Sequence, residues 1–157
     1  DFKINDGTSD IDFSMYLDNS YDGSTGMRLI FGGVRAICTN GMIWGKEFEK
    51  IYGKHTVNVG RNVQAIRAKL DSTMNRFPEI EKRINFLKQD EFWMTQENAE
   101  VLTKKFGVNL SEYMVNESGQ VISKYDLMNL ATYYVSHVID VKQRQNYQQK
   151  ISNFFHI

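Results

Sequence analysis

The sequence predicts an α+β fold: an N-terminal antiparallel β-meander, followed by a long helix and a C-terminal helical part packed on the sheet. Nine of the eleven glycines lie within the first 60 residues, where apolar and polar residues alternate as in half-buried strands. From Val57 onward the apolar residues are spaced three and four apart, which is the period of an amphipathic helix. We therefore predict a single domain over residues 1–157, mainly β over 1–57 and mainly α over 58–157.

The first predicted strands are defined by alternation. Apolar residues occupy every second position over 11–17, turn-forming residues fill 19–26, and the alternation resumes at Met27. Gly32-Gly33 predicts a β-bulge, whose extra residue would shift the phase of the strand. With that shift, Arg28 and Arg35 would share the exposed face, whereas an uninterrupted strand would place them on opposite faces.

Two hairpins are predicted from turn signals. Asn40-Gly41 is a strong signal for a short hairpin turn, and residues 42–44 and 48–56 would continue the meander. Ser118-Gly119 suggests a second, small hairpin, which would pair residues 113–115 with residues 121–122.

The helical part is predicted from one apolar stripe and from capping residues. The stripe of the first helix comprises Val63, Ile66, Leu70, Met74 and Phe77. Pro78 either begins a new helix in its first turn or kinks a continuing one. The N-caps expected for the three later helices are Thr95, Ser123 and Asp140, and Gly107 is expected to end the helix that Thr95 begins.

The formal net charge of zero conceals an uneven distribution along the chain. Residues 1–24 carry six aspartates and one lysine, a net of −5, whereas residues 25–69 carry eight Lys/Arg and two Glu, a net of +6. We call these the acidic segment and the basic segment. Such asymmetry bears on the choice of partner, and the basic segment suits a polyanion. The alternative is that the acidic segment folds against the basic one and neutralises it.

The basic segment combines cations with interleaved aromatic residues, as single-stranded nucleic-acid binding requires. Cations contact phosphates, while aromatic faces stack on bases. His55 and its neighbours would form a donor-rich turn at a helix start, which suits an anion; the alternative is that they cap the helix. The nucleic-acid-binding residues predicted on this basis are Arg28, Arg35, Lys46, Lys50, Lys54, His55, Thr56, Asn58 and Arg61.

Enzyme motifs are weak in this sequence, so we predict no catalytic residue, no metal and no cofactor. Residues 53–56 resemble the end of a phosphate-binding loop but lack its leading glycine. Asp10 and Asp12 share a predicted strand face that could hold magnesium, although carboxylates on such a face usually point into water. Cys38 is expected to be a buried small side chain. The single cysteine and the absence of a membrane-length apolar run favour a cytoplasmic location.

A family resemblance is carried by two parts of the sequence. The first comprises residues 19–24, Arg28, the run 32–41 and residues 55–59; the second comprises residues 126–133. Together they resemble the phage- and plasmid-associated domain-of-unknown-function family 932, over residues 11 to 155. Its motif positions in this chain include Asp22, Gly23, Gly32, Gly33, Cys38, Thr39, Asn40 and Gly41. The resemblance implies a mobile-element context, a viral protein in the host cytoplasm, and relatives with additional N-terminal sequence. It implies no established activity.

Three functions follow from these observations. The favoured one is a non-catalytic DNA-binding accessory of replication or recombination, acting on single strands or in annealing. The alternative is a protein-interaction or homo-oligomeric structural module without a nucleic-acid role. A second alternative is a metal-dependent nuclease that uses the aspartates together with His55.

Overall fold

The computed structural model describes residues 3–18, 28–35, 40–43, 49–50, 59–111 and 119–157, and these residues form the predicted α+β fold. The strands described are β1 (Lys3–Asn5), β2 (Asp10–Asp18), β3 (Arg28–Arg35), β4 (Asn40–Ile43), β5 (Glu49–Lys50), β6 (Glu91–Met94) and β7 (Gln120–Ser123). The helices described are α1 (Val59–Asn75), α2 (Phe77–Gln89), α3 (Gln96–Phe106), α4 (Lys124–His137) and α5 (Val141–Phe155).

The larger sheet is an antiparallel meander in the order β1-β2-β3-β4, and β5 also pairs with β3. Strands β2 and β3 pair without interruption from Ile11 opposite Arg35 to Asp18 opposite Arg28. The predicted bulge at Gly32-Gly33 is therefore wrong, and positions 28 and 35 fall on opposite faces of the sheet.

One of the two glycines of β3 lies beside an aromatic cluster. Gly33 lies directly opposite Phe13, whose ring packs on Phe31 with 6.0 Å between the ring centroids. The same ring contacts Phe77 of α2 at 5.5 Å. A position without a Cβ opposite Phe13 leaves space for this aromatic cluster on the face of the sheet that meets the helices.

Asn40-Gly41 is not the turn of the β3–β4 hairpin, so this prediction is also wrong. Asn40 pairs with Arg35, and Gly41 pairs with Val34, inside the ladder of β4. The chain therefore reverses direction between residues 35 and 40, and residues 36–39 lie outside the described part. The predicted strand residues 44, 48 and 51–56 likewise lie outside it.

A second, two-stranded sheet pairs β6 with β7. The predicted strand at Val121-Ile122 exists and pairs with Trp93-Phe92. Residues 113–115, its predicted hairpin partner, lie outside the described residues. The four residues of β6 stand directly between two helices, where their short alternation is easily read as part of the helical pattern.

Helix boundaries follow the predicted capping residues. Pro78 lies in the first turn of α2, so it begins a new helix and does not kink a continuing one. The Thr95 hydroxyl accepts the Asn98 backbone N–H to begin α3, and Gly107 ends that helix with a left-handed φ of 75°.

The last two helices also begin at the predicted caps. Ser123 Oγ accepts the backbone N–H of Asp126 at the start of α4. Asp140 accepts the backbone N–H of Lys142 at the start of α5. These bonds satisfy backbone donors that the first turn of a helix leaves unpaired.

One continuous hydrophobic core joins the sheet to the helices. It contains Ile4 and Ile11 from the sheet, together with buried residues of α2, α3, α4 and α5. The largest of its fully buried side chains include Phe106, Phe155, Ile84, Leu87, Leu127 and Met128. None of the helices described is long and apolar enough to cross a membrane.

Candidate functional site

A buried carboxylate, Asp6, lies at a polar contact between the sheet and the helices. Asp6 follows β1 in a tight turn, where its backbone N–H donates to the Ser9 carbonyl at 2.9 Å. Its Oδ1 accepts the backbone N–H groups of Thr8 at 2.9 Å and Ser9 at 2.7 Å. The turn thus folds around its own carboxylate, as aspartates in turns commonly do.

Three long side chains from distant elements converge on Asp6. Its Oδ2 accepts Arg35 Nε from β3 at 2.5 Å and the Tyr125 hydroxyl from α4 at 2.5 Å. The Lys88 ammonium from α2 donates to the Asp6 backbone carbonyl and lies 5.5 Å from the centroid of the Tyr125 ring. We call Asp6, Arg35, Lys88 and Tyr125 the Asp6 cluster. It joins the β1–β2 turn, β3, α2 and α4.

The protonation states of the cluster are fixed by its contacts. Burial alone would raise the pKa of Asp6, but bonds from Arg35, Tyr125, Thr8 and Ser9 together hold that pKa well below 3.8. Burial raises the pKa of the Tyr125 phenol well above 10.0, and the bond to the charged Asp6 raises it further. At neutral pH, Asp6 is therefore an anion and Tyr125 a neutral donor, which suits a structural pair better than an acid–base pair.

Replacing Tyr125 with phenylalanine tests this assignment. We expect the free energy of unfolding to fall by about 1.5–3 kcal/mol, because a buried carboxylate loses one donor. A phenol whose folded pKa is raised stabilises the fold fully below pH 10.0 and loses that contribution as the pH rises further. Urea unfolding should therefore show the parent losing stability above pH 10.0 more steeply than Tyr125→Phe does. Equal alkaline slopes would contradict the assignment.

The Asp6 cluster borders a polar cleft of about 230 Å³, whose walls include Thr8, Ser123 and Asp126. Its charged groups balance, because Asp6 and Asp126 oppose Arg35 and Lys88. The described residues hold no group of three or more His, Cys, Asp or Glu side chains that could bind a metal ion.

A second polar contact lies beside the cluster on the same strand pair. Asn40, opposite Arg35 in the ladder, is buried and donates Nδ2–H to the Asn129 carbonyl of α4 at 3.2 Å. The neighbouring Gly41 N–H donates to Ser136 Oγ of α4 at 3.1 Å. Strand β4 is therefore held to α4 through Asn40 and Gly41, and β3 reaches α4 through Arg35 and the Asp6 carboxylate that Tyr125 also contacts.

Comparison with protein families places this contact in a family context. Residues 1–154 match the family described as a domain of unknown function, DUF932. The chain belongs to the DUF932 family. The resemblance seen in the sequence is thereby confirmed. Comparisons with curated proteins and with solved structures find no match.

The two sequence stretches that carry the DUF932 resemblance meet at the sheet–α4 contact. Arg35, Asn40 and Gly41 come from the first stretch, and Asn129 comes from the second. In this structure Asn40 and Gly41 join the sheet to α4 through hydrogen bonds, and Arg35 forms an ion pair with the Asp6 carboxylate, which also accepts the Tyr125 hydroxyl of α4.

Of the remaining predicted nucleic-acid residues of this DUF932 chain, the structure describes three and places two of them opposite each other. Arg28 and Lys50 are paired in the backbone of β3 and β5, and Arg61 lies in the first turns of α1. The predicted residues outside the described part are Lys46, Lys54, His55, Thr56 and Asn58, together with the motif positions Asp22, Gly23, Cys38 and Thr39.

Arg35 is the predicted binding residue whose side chain the structure describes, and it is engaged inside the fold. Its side chain is 12% exposed and paired with an Asp6 side chain that is 0% exposed. It lies on the face of the sheet that carries Ile11, not on an outer basic face.

The acidic and basic segments do meet at this point. Asp6 belongs to the acidic segment and Arg35 to the basic one, so their ion pair neutralises one charge of each. Elsewhere in the acidic segment, Lys3 Nζ lies 3.8 Å from Asp10 and 3.4 Å from Asp12. The two aspartates considered for magnesium thus already have a cation between them.

Asp6, Lys88 and Tyr125 were missed by the sequence reasoning. The run Asn5-Asp6-Gly7 is a turn signal that could have drawn attention to Asp6. Nothing local connects Asp6 with Arg35 or Tyr125, which lie 29 and 119 residues away along the chain.

Proposed function

We propose that this DUF932 chain is a non-catalytic DNA-binding accessory of replication or recombination in a phage or other mobile element, acting on single strands in the host cytoplasm. The observation that carries the proposal is the basic segment, with eight Lys/Arg against two Glu over residues 25–69. Clustered cations interleaved with aromatic residues suit the phosphates and bases of a single strand.

The ion pair of Arg35 narrows the proposed contact set. Without Arg35, the basic segment still carries seven Lys/Arg against two Glu. Arg67 belongs to this segment, lies on α1 and is exposed. The first turn of α1 contains no acidic residue. We therefore propose that phosphates are contacted by basic residues other than Arg35, with polar residues beside them. The basic residues are Arg28, Lys46, Lys50, Lys54 and Arg61, and the polar ones are His55, Thr56 and Asn58.

A salt titration of oligo(dT) binding tests the proposal. We expect the combined substitution Lys46→Gln, Lys50→Gln and Lys54→Gln to weaken binding at least about tenfold at low salt. It should also lower the slope of log affinity against log salt by about 2, since each phosphate contact on a single strand contributes about 0.7. Fluorescence anisotropy of a labelled oligonucleotide measures both quantities.

The matched control removes the same charge elsewhere. Lys82, Lys104 and Lys142 are exposed on α2, α3 and α5, so Lys82→Gln, Lys104→Gln and Lys142→Gln together should leave the slope unchanged. Equal losses in the two triple variants, or no binding by the parent at low salt, would sink the proposal.

An interaction module without a nucleic-acid role is the second candidate. Its specific support is a set of large apolar side chains that remain exposed, including Trp93, Val121, Val138 and Val141. Exposed apolar residues of this kind can mark a surface for a protein partner or for a second copy of the chain. Light scattering over a wide concentration range tests self-association, and a monomer throughout would count against the homo-oligomeric form.

A metal-dependent nuclease remains the third proposal, with weaker support. Asp10 and Asp12 face Lys3, and His55 lies outside the described residues. A rise in melting temperature with Mg²⁺ or Mn²⁺, together with cleavage of labelled DNA, would favour it over the binding role.

A further inference from the structure

The outer face of the β6–β7 ribbon presents a fixed, exposed tryptophan. Trp93 pairs directly with Val121, and their side chains are 55% and 48% exposed. The indole Nε1 of Trp93 lies 3.2 Å from the place that a Cβ on Gly119 would occupy, so this glycine makes space for the ring. The Trp93 carbonyl accepts Asn98 Nδ2–H at 2.8 Å, which ties β6 to α3. The strand that carries the indole ring is thus held against α3, and solvent reaches the ring.

Two carboxylates lie at one end of this face. Glu91 is exposed, two residues from Trp93, and pairs with Ser123 across the ribbon, so both share the face of Trp93. Ser123 Oγ donates to the Asp126 carboxylate at 2.7 Å, so Asp126 lies at the same end of the ribbon as the Glu91–Ser123 pair. The nearby Lys124 ammonium is paired with Asp90 at 2.7 Å, and Lys88 is directed at the Asp6 carbonyl.

The indole ring of Trp93 and the carboxylates of Glu91 and Asp126 together favour a positively charged ligand. A positive group over an indole face is attracted by the ring quadrupole, and adjacent carboxylates add to that attraction. The same carboxylates repel phosphate, so the face does not suit a nucleic-acid strand. A guanidinium or ammonium group can lie over Trp93 and reach Glu91 from there.

The ribbon also offers backbone pairing to an extended segment. Among the described residues, β6 and β7 pair with each other and with no third strand. An extended segment that pairs along an outer edge places alternate side chains over the same face of the sheet. One such side chain would lie beside Trp93.

We propose that the outer face of the β6–β7 ribbon binds an extended segment of a protein partner, whose arginine or lysine lies over Trp93 and beside Glu91 and Asp126. Val121 supplies the apolar floor for the aliphatic part of that side chain. This inference does not depend on the proposed DNA binding, because it uses a different surface and a ligand of opposite charge.

Anisotropy of a short labelled peptide of alternating arginine and threonine tests the proposal on the full chain. We expect saturable binding that weakens about 2- to 5-fold in Glu91→Gln and about 5-fold or more in Trp93→Ala and in the charge reversal Glu91→Lys. Trp44→Phe leaves Trp93 as the only tryptophan, so the emission of that variant should change when the peptide binds.

The controls separate this surface from general charge attraction. Glu81 is exposed on α2, and Glu81→Gln should bind the peptide as the parent does. A peptide of alternating glutamate and threonine should not bind. Equal affinity in the parent, Trp93→Ala and Glu91→Lys would overturn the proposal, as would equal weakening by Glu81→Gln. If Trp93→Ala instead abolishes oligo(dT) binding or self-association, the occupant is DNA or a second copy, and the proposal is wrong.

Discussion

Replacing Arg35 with methionine is expected to lower the free energy of unfolding by about 3–5 kcal/mol, because it leaves a buried carboxylate without its counter-ion. Asp6 has a side chain that is 0% exposed, and its Oδ2 lies 2.5 Å from Arg35 Nε. Methionine retains much of the apolar stem of arginine, so the expected loss comes mainly from the charge. Urea unfolding at neutral pH measures it.

A matched variant separates the burial of this pair from its charge. Arg76 is paired with Glu79 at 3.8 Å, with side chains that are 56% and 75% exposed. Arg76→Met should therefore change the free energy of unfolding by no more than about 1 kcal/mol, as exposed pairs do. A loss below about 1 kcal/mol in Arg35→Met would contradict a structural role for the buried pair.

The stability difference between the parent and Arg35→Met is expected to change with pH in one direction. A carboxyl whose folded pKa is depressed stabilises the fold above pH 3.8 and loses that contribution as the pH falls towards the folded value. Without Arg35, the pKa of the Asp6 carboxyl in the folded state lies closer to its ordinary value. The stability difference between the parent and Arg35→Met should therefore narrow as the pH is lowered below 3.8.

Phe106→Ala is expected to cost about 3–5 kcal/mol, the usual range for truncating a buried phenylalanine. Phe106 is fully buried at the end of α3, and its ring meets the Phe154 ring edge-on with 5.0 Å between centroids. It also lies 6.1 Å from Phe155, so it joins α3 to α5. Alanine would leave a cavity between α3 and α5, which the surrounding side chains would fill only in part.

This variant also tests whether residues 1–157 unfold as one domain. Because the core runs from Ile4 and Ile11 to the helices, we expect a single transition shifted to lower urea, seen equally by fluorescence and by circular dichroism. Phe86→Ala is the control, since Phe86 is 53% exposed and should cost far less. Two separate unfolding transitions, of which the one from the strands stays where it is in the parent, would show that the sheet and the helices unfold independently.

Helices were the predictable part of this fold, because their signals are local. Thr95, Ser123 and Asp140 accept backbone N–H groups two or three residues ahead, and Gly107 adopts the left-handed conformation that ends a helix. Each of these contacts lies within a few residues of the sequence, so a single pass along the chain can find it.

The sheet was less predictable, since strand pairing depends on distant residues. Gly32-Gly33 has the composition of a bulge, yet β2 and β3 pair across it residue by residue, without an extra residue. Asn40-Gly41 has the composition of a turn, yet Asn40 is needed in the strand to contact Asn129, 89 residues away. Local turn propensity was overridden by tertiary contacts in both cases.

The candidate site was predictable only as a set of residue types. Arg35 stood out as a cation within a family motif, but the carboxylate that binds it comes from a turn 29 residues earlier. Without the bulge, its place in β3 puts it on the face that packs against α4. The distribution of charge along the sequence therefore left open both whether the acidic and basic segments meet and which side chains stay available to a partner.

A double-mutant cycle between Asp6→Asn and Arg35→Met measures how strongly the buried ion pair couples β3 to the β1–β2 turn, on which Tyr125 of α4 and Lys88 of α2 also converge. Urea unfolding of the parent, both single variants and the double variant gives the coupling energy. We expect a coupling energy of about 2–3 kcal/mol. The double variant should therefore lose clearly less stability than the sum of the losses in the two single variants. Losses that add to within about 0.5 kcal/mol would contradict it, since independent sites behave in that way.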